Sequence, residues 1–165
     1  MQQVYRSRKV TAPIVVGVDG SPASKAALRW ALHQAGRTGT TVEAVAVWAP
    51  MPVFYYSYAW AVNVDSERDL AESTHAALLD TLVEVAGEYG CSVPIRPRVL
   101  RGRAADELIR AADRAQMLVV GEPSHGTVAG ILLGSVAHEC VQRAPCPVIV
   151  MPATLPTSSK QARLS

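Results

Sequence analysis

Two stretches of this chain combine small, polar and glycine residues in a way that suits them to chemistry. Gly121-Glu122-Pro123-Ser124-His125-Gly126-Thr127 is small and polar, and Gly134-Ser135-Val136 opens a segment with helical apolar spacing. Backbone N–H groups in such loops, with two or three hydroxyls, can wrap phosphate oxygens, and a helix N-terminus adds unpaired amides. A third piece, Asp19-Gly20-Ser21-Pro22, follows a β-branched run and offers a carboxylate. Named nucleotide signatures are missing. No glycine-rich loop ends in Gly-Lys-Ser/Thr, and Gly17 with Gly20 does not complete a dinucleotide fingerprint. On spacing alone, a phosphate site and ordinary turn glycines stand level.

Other chemistries have weaker support. Ser124 beside His125 is not a nucleophile with its base, because adjacency does not create the hydrogen bond, and no Gly-x-Ser-x-Gly elbow surrounds it. His33, His75 and His138 are isolated in sequence, so packing or surface bonding is a simpler reading than metal ligation. Cys140 and Cys146 flank Pro145. They read as two reduced, packed thiols, with a redox pair as the alternative. Tyr55, Tyr56, Tyr58 and Trp60 either cover a ligand or partner surface or seal the domain's own core. Without interleaved Lys or Arg they are no nucleic-acid stacking platform.

Regular elements must deliver these pieces. Ile14 to Val18 is almost continuously apolar and reads as a strand buried on both faces. Ser21 can cap a helix with Pro22 at its first position. Its inner stripe is Ala23, Ala26, Ala27, Trp30 and Ala31, and Gly36 and Gly39 end it. Val42 to Trp48 is the next strand, and Ala49 to Val64 a long connection or flap. Asp65 or Ser66 caps a helix reaching about Tyr89, with Leu70, Ala77, Leu78, Leu82 and Val85 inward. Val93 to Leu100 contains Pro94 and Pro97, whose missing donors place it at a sheet edge. A helix over Ala104 to Arg114, a strand over Met117 to Val120, a short helix over Val136 to Arg143 and a last strand over Val148 to Met151 complete the rhythm. Five strands alternating with four helices predict an α/β fold, a parallel sheet with helices on both faces. In such sheets the loops at the carboxyl ends of the strands converge, so Asp19, Val47, Trp48 and Gly121 can share one crevice.

Composition bounds the function classes. The 165 residues carry a formal charge of +2, with 18% charged and 49% apolar residues, which excludes wholesale disorder and a dedicated nucleic-acid surface. Three cysteines are too few for a disulfide framework or a four-thiolate metal site. Met1 to Lys9 has no apolar leader pattern, and no run is long enough to span a bilayer, so the expected setting is cytoplasmic, with no membrane partner. The expected organisation is a flexible tail over residues 1–9, one domain over 10–152 and a disordered tail over 153–165.

Val15-Val16-Gly17-Val18-Asp19-Gly20-Ser21, Ala112 to Gly121, and Gly121 through Gly134-Ser135-Val136 to Cys146-Pro147-Val148-Ile149-Val150 resemble the universal stress protein family. That resemblance implies strand order 3-2-1-4-5, an adenine nucleotide alpha hydrolase-like fold, and a homodimer formed through the last strand. It also implies a stress-response regulatory module with an unidentified regulatory protein partner. One subclass binds ATP through a glycine, two residues, a glycine, nine residues, then glycine and serine or threonine. Gly121 and Gly134-Ser135 stand at that separation, and the middle glycine position holds Ser124. By this likeness Gly17 and Asp19 lie at the nucleoside end, Val47 near the adenine edge, and Ser135 and Val136 near phosphate. Pro123, Ser124, His125, Gly126 and Thr127 form a flexible cradle. Missing side chains at Gly121 and Gly134 would let backbone approach the phosphates. Asp19 would accept ribose hydroxyls or help hold Mg²⁺. Arg101 and Arg103 are candidates to counter triphosphate charge, or ordinary surface arginines. No water-activating base or phosphate lysine marks a dedicated ATPase. A non-nucleotide dimeric adaptor is the alternative, followed by a slow ATP hydrolase.

Overall fold

The computed structural model describes residues 12–49, 67–89, 93–122 and 134–153. Residues 1–9 and 154–165, where tails are expected, the aromatic stretch 54–60, and the capping candidates Asp65 and Ser66 lie outside the described residues. In chain order the elements are β1 (Ile14–Gly17), α1 (Pro22–Thr38), β2 (Val42–Trp48), α2 (Glu67–Tyr89), β3 (Ile95–Arg101), α3 (Ala104–Ala111), a 3₁₀ turn (Ala112–Arg114), β4 (Met117–Gly121), α4 (Ser135–Arg143) and β5 (Val148–Met151). The strands form one parallel sheet in the order β3-β2-β1-β4-β5. This is the expected architecture and order. Among the described residues no helix is long and apolar enough to cross a membrane.

β1 shows why a buried parallel strand reads as an unbroken apolar run. Ile14, Val15 and Val16 are all 0% exposed. Ile14 and Val16 pack with Leu28 and Leu32 of α1 and Leu78 and Val85 of α2, whereas Val15 packs with Leu108 of α3 and Cys140 of α4. Each fully buried Val or Leu contributes about 1.5–3 kcal/mol, so neither face can be left uncovered.

The stripe on α1 differs from the expected one. Ala23, Ala27 and Ala31 are buried as expected, but Ala26 and Trp30 are only partly covered, and Leu28, Leu32 and Ala35 take the inner face. A helix rich in alanine has two plausible stripes, and the one carrying the leucines buries more apolar area. Gly36 lies within the helix, which ends at Gly39 in a left-handed conformation, the Gly39 amide donating to the Ala35 carbonyl at 2.8 Å. On α2, Leu78, Leu82 and Val85 are buried, while Ala77 faces solvent.

β3 is an edge strand, and its backbone explains how it tolerates proline. The Val42 amide donates to the Pro94 carbonyl, and the Gly102 amide to the Trp48 carbonyl. With the register constant from Val42↔Ile95 to Trp48↔Arg101, even-numbered residues of β3 turn their peptide groups toward β2 and odd-numbered ones away. Pro97 is odd-numbered, so its missing N–H falls on the outer side and costs no ladder bond.

Gly121 ends β4 where the strand meets α1. A Cβ built there would lie 2.7 Å from both the Ala23 carbonyl carbon and the Ser24 nitrogen, a backbone contact that no rotamer change relieves. Gly121→Ala is therefore expected to reduce unfolding free energy by about 1–3 kcal/mol. Urea denaturation measures this, and an unchanged midpoint would mean that α1 yields freely at its first turn.

Candidate functional site

A hollow of about 440 Å³ opens at the carboxyl ends of β1, β2 and β4, between the first turns of α1, α3 and α4. This is within the size range of small-molecule sites. Its floor is apolar, made by Val45, Val47, Leu108, Val120 and Val136, and its polar groups come from the strand-end turns and helix starts. Seven residues singled out from the sequence line it: Gly17, Asp19, Val47, Gly121, Gly134, Ser135 and Val136. Pro123, Ser124, His125, Gly126 and Thr127 lie outside the described residues. Trp48 does not line the hollow. Its ring sits under the Arg101 guanidinium, 5.7 Å from the charge centre to the ring centroid.

The turn from β1 into α1 is built by short side chains. Gly20 has φ +80°, a conformation that favours glycine, and lets the Ser21 amide donate to Asp19 Oδ1 at 2.9 Å. Ser21 then caps α1, its Oγ accepting from the Ser24 amide at 3.2 Å. The buried Ser24 hydroxyl donates to the Ser21 carbonyl at 3.0 Å and accepts from the Asp19 amide at 3.3 Å. Partial burial alone would raise the Asp19 carboxyl's pKa. Hydrogen bonding from Ser21, side chain and amide, together with that from the Ser24 side chain and Asp19's own backbone, outweighs it and sets the pKa below the ordinary 3.8. Asp19 is thus an anion at neutral pH.

The two helix starts flanking the hollow differ in what they can offer. At α1, Pro22 has no N–H, the Ser24 amide is taken by Ser21 Oγ, and the Lys25 amide by the Ser21 carbonyl. At α4 the N-cap is Gly134, which brings no side-chain acceptor, and the first intrahelical bond runs from the His138 amide to the Gly134 carbonyl at 2.8 Å. The amides of Ser135, Val136 and Ala137 precede that bond, and the first turn contains no acidic residue. Of the two, α4 is the end suited to an anion.

The glycines play packing roles the sequence did not reveal. A Cβ at Gly17 would touch Leu108 Cδ1 at 3.0 Å, so this glycine seats α3 on the sheet. Gly121 lines the hollow, and the side of it where a Cβ would stand is closed by the backbone of α1. The arginines at the end of β3 and just after it turn elsewhere. Arg101 pairs with Glu67 at 2.5 Å, and Arg103 with Glu139 at 2.7 Å and Asp106 at 3.2 Å. Together with Arg143, which reaches Asp106 and Glu139, Arg103 ties α3 to α4 beside the hollow. Ser21, Ser24, Ala104 and Glu122 also line the space. Of these, Glu122 had a sequence signal, its place directly after the first motif glycine.

The thiols are quiet. Cys140 and Cys146 are free, and Cys140 is fully buried. Burial pushes the Cys140 thiol up to about 11 and also raises that of Cys146. Among the described residues no group of three or more His, Cys, Asp or Glu side chains could hold a metal ion.

The model of the Universal stress protein family matches residues 11–152. A universal stress protein of Mycobacterium tuberculosis is 35% identical over 146 residues, covering 84% of this chain and 45% of that protein. The chain thus spans about half the length of the curated relatives it matches. A solved universal stress protein in complex with cAMP superposes with a TM-score of 0.60 at 24% identity, covering 88% of this chain and 99% of that one. The universal stress protein from Archaeoglobus fulgidus in complex with dAMP gives 0.58 at 23% identity, covering 86% and 98%.

Two measurements check the electrostatics. The Asp19 carboxyl should titrate below 3.8 by NMR, and Ser21→Ala should move its midpoint upward, because burial then acts with less opposition. The lowered value means the native state prefers the carboxylate, so this contribution to stability is present above the ordinary pKa and is lost as pH falls through the folded one. Alkylation of the native protein at pH 8, mapped by mass spectrometry, should leave Cys140 unmodified, and ready labelling would contradict its burial.

Proposed function

The chain belongs to the universal stress protein family, and from that premise we propose that its hollow binds an adenine nucleotide, ATP with Mg²⁺, as the switch of a stress-response regulatory module. The observation that carries this reading is the bare start of α4. Among the described residues no side chain caps the three amides that begin α4, and these amides border a hollow whose floor is apolar and whose far rim is the Asp19 turn. An apolar floor suits a purine, and a helix start with open donors suits phosphate. Val47 would lie near the adenine edge, Gly17 and Asp19 at the nucleoside, and Gly134, Ser135 and Val136 at the phosphates, with Gly121 through Thr127 closing the cradle. The Asp19 carboxylate can accept ribose hydroxyls or hold the water shell of Mg²⁺. The cAMP and dAMP of the two related structures are both adenine nucleotides. Regulation follows only if nucleotide binds two conformations unequally. ATP turnover is not part of this reading, and the module would act in the cytoplasm, where its thiols stay reduced.

The same fold would dimerise through β5. The Leu118 amide donates to the Pro147 carbonyl and the Glu122 amide to the Met151 carbonyl, so odd-numbered residues of β5 face β4. Val148 and Val150 therefore turn their peptide groups outward, where a symmetric copy would pair with them. A second reading, a dimeric adaptor without nucleotide, is favoured by one observation: packing alone accounts for Gly17 and Gly121.

Calorimetric titration with ATP and Mg²⁺ decides between the two, and saturable binding is expected. Gly134→Asp should weaken that binding about tenfold or more, because a carboxylate at the N-cap occupies the amides meant for phosphate, while stability stays level or rises by up to about 1 kcal/mol. Gly134 has φ −56°, which any residue adopts, and a urea midpoint at or above wild type shows that the variant folds. Wild-type protein that binds no nucleotide would leave the adaptor standing.

A further inference from the structure

Four charged side chains beside the hollow close into a ring of alternating sign across two helices. Arg103, at the N-cap position of α3, reaches Asp106 of α3 at 3.2 Å and Glu139 of α4 at 2.7 Å. Arg143 of α4 reaches the same two carboxylates, Asp106 at 2.9 Å and Glu139 at 3.2 Å. Two sides of the ring therefore cross from α3 to α4, Arg103 to Glu139 and Arg143 to Asp106. The Arg143 hydrogen bond holds the Asp106 carboxyl below its ordinary 3.8. The carboxylate side chains are sheltered, 25% and 28% exposed, whereas those of Arg103 and Arg143 are 65% and 51% exposed and open to solvent ions.

What the ring holds is otherwise lightly fastened. α4 has nine residues, too few for a helix to persist without tertiary support. It buries two of them, Ala137 and Cys140, whereas α1 buries seven of its 17. A helix with so little buried surface opens at a lower cost than the core of the fold. Ion pairs on a wet surface are the ties that added salt screens, and the apolar contacts under α1 are not.

We propose that this ring is a salt-sensitive clasp. At low ionic strength it holds α4 on α3, and rising ionic strength frees α4 together with the Gly134-Ser135-Val136 step that it carries to the hollow. Ionic strength is then a signal to which the hollow responds. That last consequence rests on the nucleotide reading above, and the clasp itself does not.

Hydrogen exchange of the full chain, read by mass spectrometry on peptides from α4 and α1 in about 0.05 M and about 1 M NaCl, tests the clasp. Peptides from α4 are expected to exchange about threefold or more faster in the higher salt, with α1 unchanged. The double variant Arg103→Gln, Asp106→Asn removes both crossing ties, leaves the net charge as it was and keeps the sequence of α4. Its α4 should exchange at the fast rate in both salts, and slow exchange of α1 shows that the sheet stays folded. Wild-type α4 that exchanges equally in both salts overturns the clasp. So does a double variant that keeps the wild-type salt response, or an α1 that accelerates in step with α4. Calorimetric titration with AMP in the lower salt reads the consequence at the hollow, where the double variant is expected to bind about threefold or more weakly than wild type. Equal affinities overturn the regulatory role. If AMP binds neither protein, the nucleotide reading falls, and the exchange rates still decide the clasp.

Discussion

The end of β4 lies against the first turn of α1 with no room for a single methyl group between them, since a Cβ on Gly121 would meet two backbone atoms at 2.7 Å. This contact fixes the distance between the β4 exit and the Asp19 turn, which leads directly into α1. Backbone against backbone cannot repack as side chains do, so the walls of the hollow are set by main chain. The rest follows from where the chain must go. α3 seats on Gly17 through Leu108, α4 is tied to α3 by the arginine and carboxylate cluster, and the bare N-terminus of α4 is left at the mouth.

The contrast between α1 and α4 shows how local sequence assigns roles to two similar helix ends. Ser21 and Pro22 reduce what the start of α1 can offer, one by accepting the Ser24 amide bond and the other by having no amide to satisfy. Gly134 does neither for α4. A helix that caps itself gains stability, whereas one that leaves its amides open keeps them for something else. In this chain the self-capped end lies beside the carboxylate of Asp19, and the open end lies across the hollow from it.

The strands and their order were legible because β1 and β4 are apolar without alternation and β2 is apolar but for Glu43, as burial on both faces demands, and because Pro97 marks an edge. The start of α1 was legible from Ser21-Pro22 for the same kind of local reason. What the sequence hid depended on partners far along the chain. The burial of Leu28 and Leu32 in place of Ala26 and Trp30 is decided by the sheet, not by helical spacing. Arg101 and Arg103 find their carboxylates 34 and 36 residues away. That Gly121 also has to be glycine for α1 to lie against it shows only in the fold. Gly17, Asp19, Val47 and the Gly134-Ser135-Val136 step do reach one hollow, because strand ends and helix starts on the same side of a parallel sheet converge.

The two margins of the sheet are not equivalent. Along β3 the outward row of donors is broken at Pro97, and Arg96, Arg98 and Arg101 are exposed on the same strand. Along β5, Val148 and Val150 present an unbroken pair of outward peptide groups with no charge on the strand. A sheet that can be extended on one side only cannot propagate. Were two such molecules to join edge to edge through β5, both ends of the combined ten-stranded sheet would be proline-broken margins, and growth into a filament would stop there.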